Sequence, residues 1–287
     1  MILITGATGQ LARMTINKLL EKIPANQIVA AVRSIEKAED LKDLGVKVRI
    51  ADYDVPEQWP AALEGVNKVY LISSPDTGTR VAKHRAVIEG VRKTKSVKLI
   101  AYTSILRADS CTVPYAVEDR ETESLIRELE IRHVFLRHSW YIENYTIQTG
   151  QAMQHGGLYG CAKSGRISGA SRLDYAHAAA AVLTTEENLK EIYELGGDES
   201  FSLAEFASEI TKQTNLPVAY IDVEEKIYQS ILVESGLPES IAEILAAADT
   251  GAANGQVYTE SKDLSELLER PTTPMVSVLD KHLKELK

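Results

Sequence analysis

Apolar and polar positions follow two alternating rhythms through the first half of the chain. Residues 1–4 form a short apolar run bounded by Gly6, which predicts a strand. Residues 6–10 read as a turn. Residues 11–23 then place apolar side chains at helical spacing, with Lys18, Glu21 and Lys22 left for solvent, until Pro24 ends the helix. The runs 28–32, 46–50, 68–72, 98–103 and 133–136 predict further strands. Between them, 35–44, 56–63, 79–94 and 119–129 predict helices. Strand followed by helix, repeated through residue 136, predicts an α/β fold of Rossmann type, a doubly wound parallel sheet over 1–136. Right-handed crossovers bring the loops at Thr5, Arg33, Asp52, Ser73 and Thr103 to one crevice at the carboxyl ends of the strands.

Past residue 136 the rhythm changes. A helix is expected over 141–154, broken by Gly156 and Gly157, with a loop carrying short extended pieces over 159–170. Asp174 is expected to cap an alanine-rich helix over 175–183. Strands follow at 192–195 and 218–221, and helices at 203–213, 224–235, 238–254 and 275–286. The chain shows no internal repeat and no low-complexity linker. Residues 137–287 therefore read as a smaller, mixed, mainly helical substrate lobe, with some segments returning to the first domain.

Composition narrows the class. A chain of 287 residues, 44% hydrophobic and 25% charged, can bury a full core and reads as globular. With 32 Lys and Arg against 41 Asp and Glu, the net charge of −9 argues against a nucleic-acid surface but leaves room for a local basic pocket. Cys111 and Cys161 form no CxxC pair, and the acidic and histidine residues show no metal-ligand spacing, so no metal is expected. No apolar run reaches membrane-spanning length, and no charged leader precedes the first strand. A cytoplasmic protein with reduced thiols is the expectation.

The first turn carries the chemistry. Gly6 permits a tight exit from the strand and Gly9 lets backbone approach a pyrophosphate. The following helix offers unpaired N–H groups, so Gly6, Thr8, Gly9, Gln10 and Leu11 are candidate phosphate contacts. Arg33 follows the second strand where an NAD-selective site usually has a carboxylate. Its cationic fork suits a 2′-phosphate, with Ser34 and Lys37 nearby, which favours NADPH over NADH. Asp52 can accept from the adenine amine with Tyr53 flanking the ring, or make an Asx turn with Asp54. Ser73, Ser74 and Pro75 after the fourth strand, and Thr103 and Ser104 after the fifth, are placed to meet the middle and nicotinamide end of the cofactor.

The stretches MILITGATGQL, AAVRS, ADYD, YLISSP, IAYTS, FLRHSWYIEN, GRISGASRLDYAHAAAAVL and TKQTNLPVAYIDV resemble the NmrA-like branch of the atypical short-chain dehydrogenases and reductases along nearly the whole chain. Within it they are most similar to the bacterial NADPH-dependent quinone oxidoreductases, with triphenylmethane dye reductases alongside. The resemblance implies a two-domain fold and a bound nicotinamide cofactor, although the wider family includes members that sense it without turnover. An ordinary short-chain dehydrogenase uses Tyr, three residues, then Lys. Here Tyr115 is followed by Asp119, which disfavours tyrosinate, so alcohol dehydrogenation through that pair is not expected. Quinone reduction needs only hydride, a planar enclosure and exclusion of water, and requires no flavin.

His138, Trp140, Tyr141, Asn144 and Tyr145 follow the sixth strand, and the resemblance singles out Tyr141 and Asn144 as pocket residues. Arg137 is read as an anchor and His138 as a departure from the Asn common in similar sequences. Lys163 and Arg166 either close over phosphate or belong to a solvated loop. The expectation is a flavin-independent, NADPH-preferring reductase of small quinones. Planar dyes are an alternative acceptor, and a non-catalytic NAD(P) sensor an alternative class. Oligomeric state stays open, since the helical surface over 238–254 suits either its own domain or a second subunit.

Overall fold

The computed structural model describes residues 1–186 and 188–286. Its strands are β1 Ile2–Ile4, β2 Ile28–Val32, β3 Lys47–Ile50, β4 Lys68–Leu71, β5 Leu99–Ile105, β6 Arg132–His138, β7 Gly157–Gly160, β8 Ile192–Leu195 and β9 Ala219–Asp222. Among the described residues they make a seven-stranded sheet in the order β3-β2-β1-β4-β5-β6-β8 and a separate β7-β9 pair. β1 runs parallel to both neighbours, Ile2 facing Ile28 on one side and Lys68 on the other. All five residues of β2 are buried, as a strand covered on both faces requires, whereas the edge strand β3 is partly open to solvent.

The chain divides into two compact units. One comprises Met1–Asp109, Val117–Arg137 and Tyr175–Tyr193, the other Ser110–Ala116, His138–Asp174 and Glu194–Lys287. The first is the Rossmann unit, whose core includes Leu3, Val29, Trp59, Val69, Val87, Tyr102 and Phe135. The second is mainly helical, centred on Leu158, Phe201, Phe206, Ile210, Leu279 and Leu283. Its helix Leu203–Thr214 begins with a capping box, Ser202 accepting from the Glu205 N–H while Glu205 accepts from that of Ser202.

Several boundaries differ from expectation. β5 and β6 run two residues farther than the apolar pattern, so Thr103, Ser104 and His138 lie inside strands rather than after them. The reason is lateral pairing: the Ser104 hydroxyl donates to Glu123 Oε1 at 2.7 Å, and Arg137 forks onto the same carboxylate at 2.9 and 2.7 Å. Polar side chains satisfied in this way do not end a strand. The helix expected over 141–154 is two, Glu143–Thr146 and Thr149–His155. The alanine-rich helix, Arg172–Thr184, starts three residues early because the Ser171 hydroxyl, not Asp174, accepts the first-turn N–H, that of Asp174, at 3.0 Å. The Asp174 carboxylate instead takes Arg270 at 2.6 Å and the Thr273 N–H at 2.7 Å. A short helix, Asp263–Leu268, had no sequence signal.

Candidate active site

The glycine turn leaves β1 with Gly6 at φ +55°, a conformation glycine adopts without strain. Its N–H groups are partly spent on scaffolding: Ala7 donates to Ala31 at 3.1 Å and Gly9 to Gly6 at 2.9 Å. A Cβ on Gly9 would lie 3.2 Å from the Gly6 carbonyl, so the tight cradle suits the bare backbone. Helix Gln10–Leu20 opens at Gly9 with no side-chain cap and no acidic residue in its first turn. Gly6, Thr8, Gly9 and Gln10 are exposed, whereas Leu11 turns its side chain into the core. This is a donor set that could hold a pyrophosphate. Arg13 braces it from behind, donating to the carbonyls of Thr8 at 3.2 Å and Lys37 at 2.8 Å and pairing with Asp40.

Arg33 stands exposed one residue past β2 and makes no hydrogen bond or ion pair among the described residues, which leaves its guanidinium open to a 2′-phosphate. Ser34 is less open, since its hydroxyl donates to Glu36. Past β3 the Asx turn is formed: the Asp54 N–H donates to Asp52 Oδ1 at 3.1 Å, and the other carboxylate oxygen has no donor among the described residues. Tyr53 points inward, its ring tilted on Trp59 and its hydroxyl on the Ile72 carbonyl at 2.9 Å, so it is not arranged to flank an adenine.

The loop after β4 is held by side chains. Thr5 Oγ1 accepts the Ile72 N–H at 2.9 Å, Thr103 Oγ1 that of Ser73 at 2.7 Å, and His84 Nε2 that of Ser74 at 3.0 Å. Arg80 donates to the Ser74 carbonyl at 2.7 Å. Its other arm meets Asp119 at 3.3 Å, and Tyr102 donates to the same carboxylate at 2.6 Å. Burial pushes Asp119 up to about 6 against the pull of Arg80. Pro75 follows, exposed.

In the helical unit, Arg172 organises the candidates. Its guanidinium lies 4.7 Å from the Tyr141 ring centroid and donates to Asn144 Oδ1 at 2.6 Å. A guanidinium only donates, so the Asn144 amide must turn its oxygen to Arg172 and its NH2 away from that guanidinium. Tyr141 meets His138 Nδ1 at 3.4 Å, and burial holds its phenol up at about 12. Burial likewise lowers His138 to about 3. Tyr145 is spent on the core: its ring packs near Phe201 and Phe206, and its hydroxyl donates to buried Asp249 at 3.0 Å. Arg166 is occupied by Ser200 and Glu205, and the Cys161 thiol, pushed up to about 12 by burial and Asp249, donates to the Ala246 carbonyl.

The model of the NmrA-like family matches residues 1–275. The chain belongs to the NmrA-like family. "Quinone oxidoreductase 2" of Escherichia coli (strain K12) is 42% identical over 275 residues, covering 96% of each chain. The crystal structure of an NADPH-dependent quinone oxidoreductase complexed with NADPH, also from Escherichia coli, is similar at TM-score 0.95 and 42% identity, over 99% of this chain and 100% of that one. A Citrobacter sp. triphenylmethane reductase complexed with NADP(H) is similar at TM-score 0.93 and 34% identity, over 98% and 100%.

Sequence reasoning missed His84, Arg80 and Tyr102 in this NmrA-like chain. One signal was present. Arg80, His84, Val87 and Val91 fall on a single stripe of the helix Arg80–Thr94, so two polar residues occupy the stripe that its apolar residues bury. No flavin motif is apparent, and no cluster able to hold a metal occurs among the described residues. No helix among them is long and apolar enough to cross a membrane.

Proposed function

We propose that the chain is a flavin-independent oxidoreductase that binds NADPH and reduces small quinones. The observation that carries this reading is the 42% identity, along 96% of the chain, with a quinone oxidoreductase. NADPH, when bound, supplies two electrons as hydride to the acceptor. The glycine turn and the open end of helix Gln10–Leu20 take its pyrophosphate, Arg33 its 2′-phosphate, and the Ser73–Pro75 loop lies under its nicotinamide side.

Tyr141 offers a ring face to a flat acceptor, and the NH2 of Asn144 donates to the oxygen that gains negative charge. A hydroquinone anion needs one further proton, which water supplies, so the reaction does not require a tyrosine and lysine pair. Asp119, which takes the lysine's place in the sequence pattern, is engaged with Arg80 and Tyr102. Likeness to a triphenylmethane reductase favours planar dyes as a second acceptor class. The net charge of −9 fits a small-molecule rather than a nucleic-acid partner, and two buried thiols fit a reducing, cytoplasmic setting.

The test is anaerobic stopped-flow absorbance of NADPH mixed with flavin-free protein and 1,4-benzoquinone. We expect decay of the NADPH band in proportion to enzyme, above the spontaneous reaction. NADPH binding without decay across a panel of quinones and dyes would overturn the assignment and leave a cofactor sensor.

A further inference from the structure

The three residues Ile72, Ser73 and Ser74 present six backbone polar groups, two each, and five are held by side chains drawn from distant parts of the Rossmann unit. Thr5, Thr103 and His84 accept the three N–H groups, while Tyr53 and Arg80 donate to the carbonyls of Ile72 and Ser74. The sixth group, the Ser73 carbonyl, accepts no hydrogen bond among the described residues. A loop satisfied by its own turns would not need this clamp, and every group in it is fixed except one acceptor.

The clamp is itself braced. His84 Nε2 accepts from Ser74, so its proton is on Nδ1, which faces Thr122 Oγ1 at 2.9 Å. The Thr122 hydroxyl in turn donates to the Glu118 carbonyl at 2.8 Å. Burial, assisted by the charge of Arg80, lowers His84 to about 3, so the neutral ring keeps this tautomer throughout the neutral range. Arg80 is anchored in the same way by Asp119.

The sheet order says what the open carbonyl meets. β1 lies between β2 and β4. A dinucleotide with its pyrophosphate on the β1 turn and its 2′-phosphate at Arg33 must carry its nicotinamide half across the β4 loop. The first hydrogen-bond donors on that half, counted outward from the pyrophosphate, are the hydroxyls of the nicotinamide-side ribose, with the carboxamide NH2 farther out on the ring.

We propose that His84 and Arg80 are positioning residues of the cofactor site, which hold the Ser73 carbonyl as a ready acceptor for a hydroxyl of that ribose. The proposal rests on the NADPH reading above. Because the loop is fixed before binding, its ordering cost is already met by folding. Loss of one support frees the carbonyl and weakens the cofactor, while the acceptor side is untouched.

The experiment measures the NADPH Kd by fluorescence titration, the KM for 1,4-benzoquinone and thermal unfolding for wild type, His84→Ala, His84→Gln and Thr103→Val. We expect His84→Ala to raise the NADPH Kd about tenfold, as loss of one buried hydrogen bond implies, with quinone KM within about twofold. His84→Gln, whose Oε1 can take the Ser74 N–H, recovers most of the affinity, which a merely space-filling role for the ring would not produce. Should His84→Ala not fold, Thr103→Val removes the acceptor of the neighbouring N–H with little change of shape and is read in the same way. NADPH deoxygenated on the nicotinamide ribose should bind wild type weakly and the variants no more weakly still. Folded variants that bind NADPH like wild type, or whose Kd and quinone KM rise together, overturn the proposal. Wild-type protein that binds no NADPH removes the cofactor reading itself, and that control is read before any variant.

Discussion

In the proposed function, Arg33 is the residue on which the choice of nicotinamide cofactor turns. It stands exposed one residue past β2, with no hydrogen bond or ion pair among the described residues, and Lys37 four positions on is exposed as well. Arg33→Ala should weaken NADPH by roughly ten- to a hundredfold, the loss expected of a charge-assisted pair, and NADH far less. Equal losses for both, in parallel titrations, would remove the 2′-phosphate from this residue. In the same reading Asn144 serves the acceptor side, because Arg172 leaves its amide only one orientation. Asn144→Asp replaces the NH2 with an oxygen. We expect kcat with benzoquinone to fall on the order of a hundredfold while the NADPH Kd stays within about twofold. An unchanged kcat would reduce Asn144 to a structural partner of Arg172. Both residues are candidates on the sequence, Arg33 from its place after a strand and Asn144 from the family resemblance, and the structure leaves Arg33 exposed and sets Asn144 against Arg172. Which way the amide faces was not legible there, since it depends on a residue 28 positions away.

Among the elements, the one made by a continuous, fully buried apolar run was read closely: β2 matches its expected range residue for residue. Such strands are specified locally, by burial on both faces. Errors gathered where a polar side chain finds a distant partner. β5 and β6 continue through Ser104 and Arg137 because Glu123, on the helix Ala116–Arg127, receives both. Local pattern sees a polar residue and ends the strand. The Asp174 side chain shows the same effect. Its type and place suit a cap, yet Ser171 supplies the cap and the carboxylate is recruited to fasten the segment Arg270–Thr273. The loop over Ile72–Ser74 was the least legible part of the site. Its five supports come from four separate parts of the unit, His84 and Arg80 sharing one helix, and apart from Pro75 nothing in the local sequence SSP says that the loop is rigid.

At the scale of the whole molecule, four buried titratable groups set the response to pH. His84 and His138 are both lowered to about 3, so the unfolded chain takes up their protons first and stability falls as pH drops from about 6.5 toward 3. Asp119 and Asp249 are raised to about 6 and about 7, so the folded state takes up their protons first and stability rises as pH drops through those values. Between pH 8 and pH 6, proton uptake by Asp249 in the folded state opposes uptake by the two histidines in the unfolded chain, so Tm should change little. Below about pH 4 the carboxylates have given all they can, and the histidines make the loss steep. In calorimetry Asp249→Asn should leave the histidines largely unopposed, so that Tm falls from pH 8 to pH 6, whatever its absolute value. A profile parallel to wild type would show that Asp249 does not supply the compensation. The division of the chain also bears on how it is made. It passes from one unit to the other at five points, after Asp109, Ala116, Arg137, Asp174 and Tyr193. The first unit recruits Tyr175–Tyr193, in which Ala176, Ala179, Val182 and Leu183 are buried. During synthesis it therefore cannot close when its first 136 residues emerge. It must wait for Tyr193 to leave the ribosome, when only Ser110–Ala116 and His138–Asp174 of the second unit are out and its larger segment, Glu194–Lys287, is still to come. Neither unit is a contiguous cassette that recombination could lift out whole, and the two are obliged to be inherited, and to mature, together.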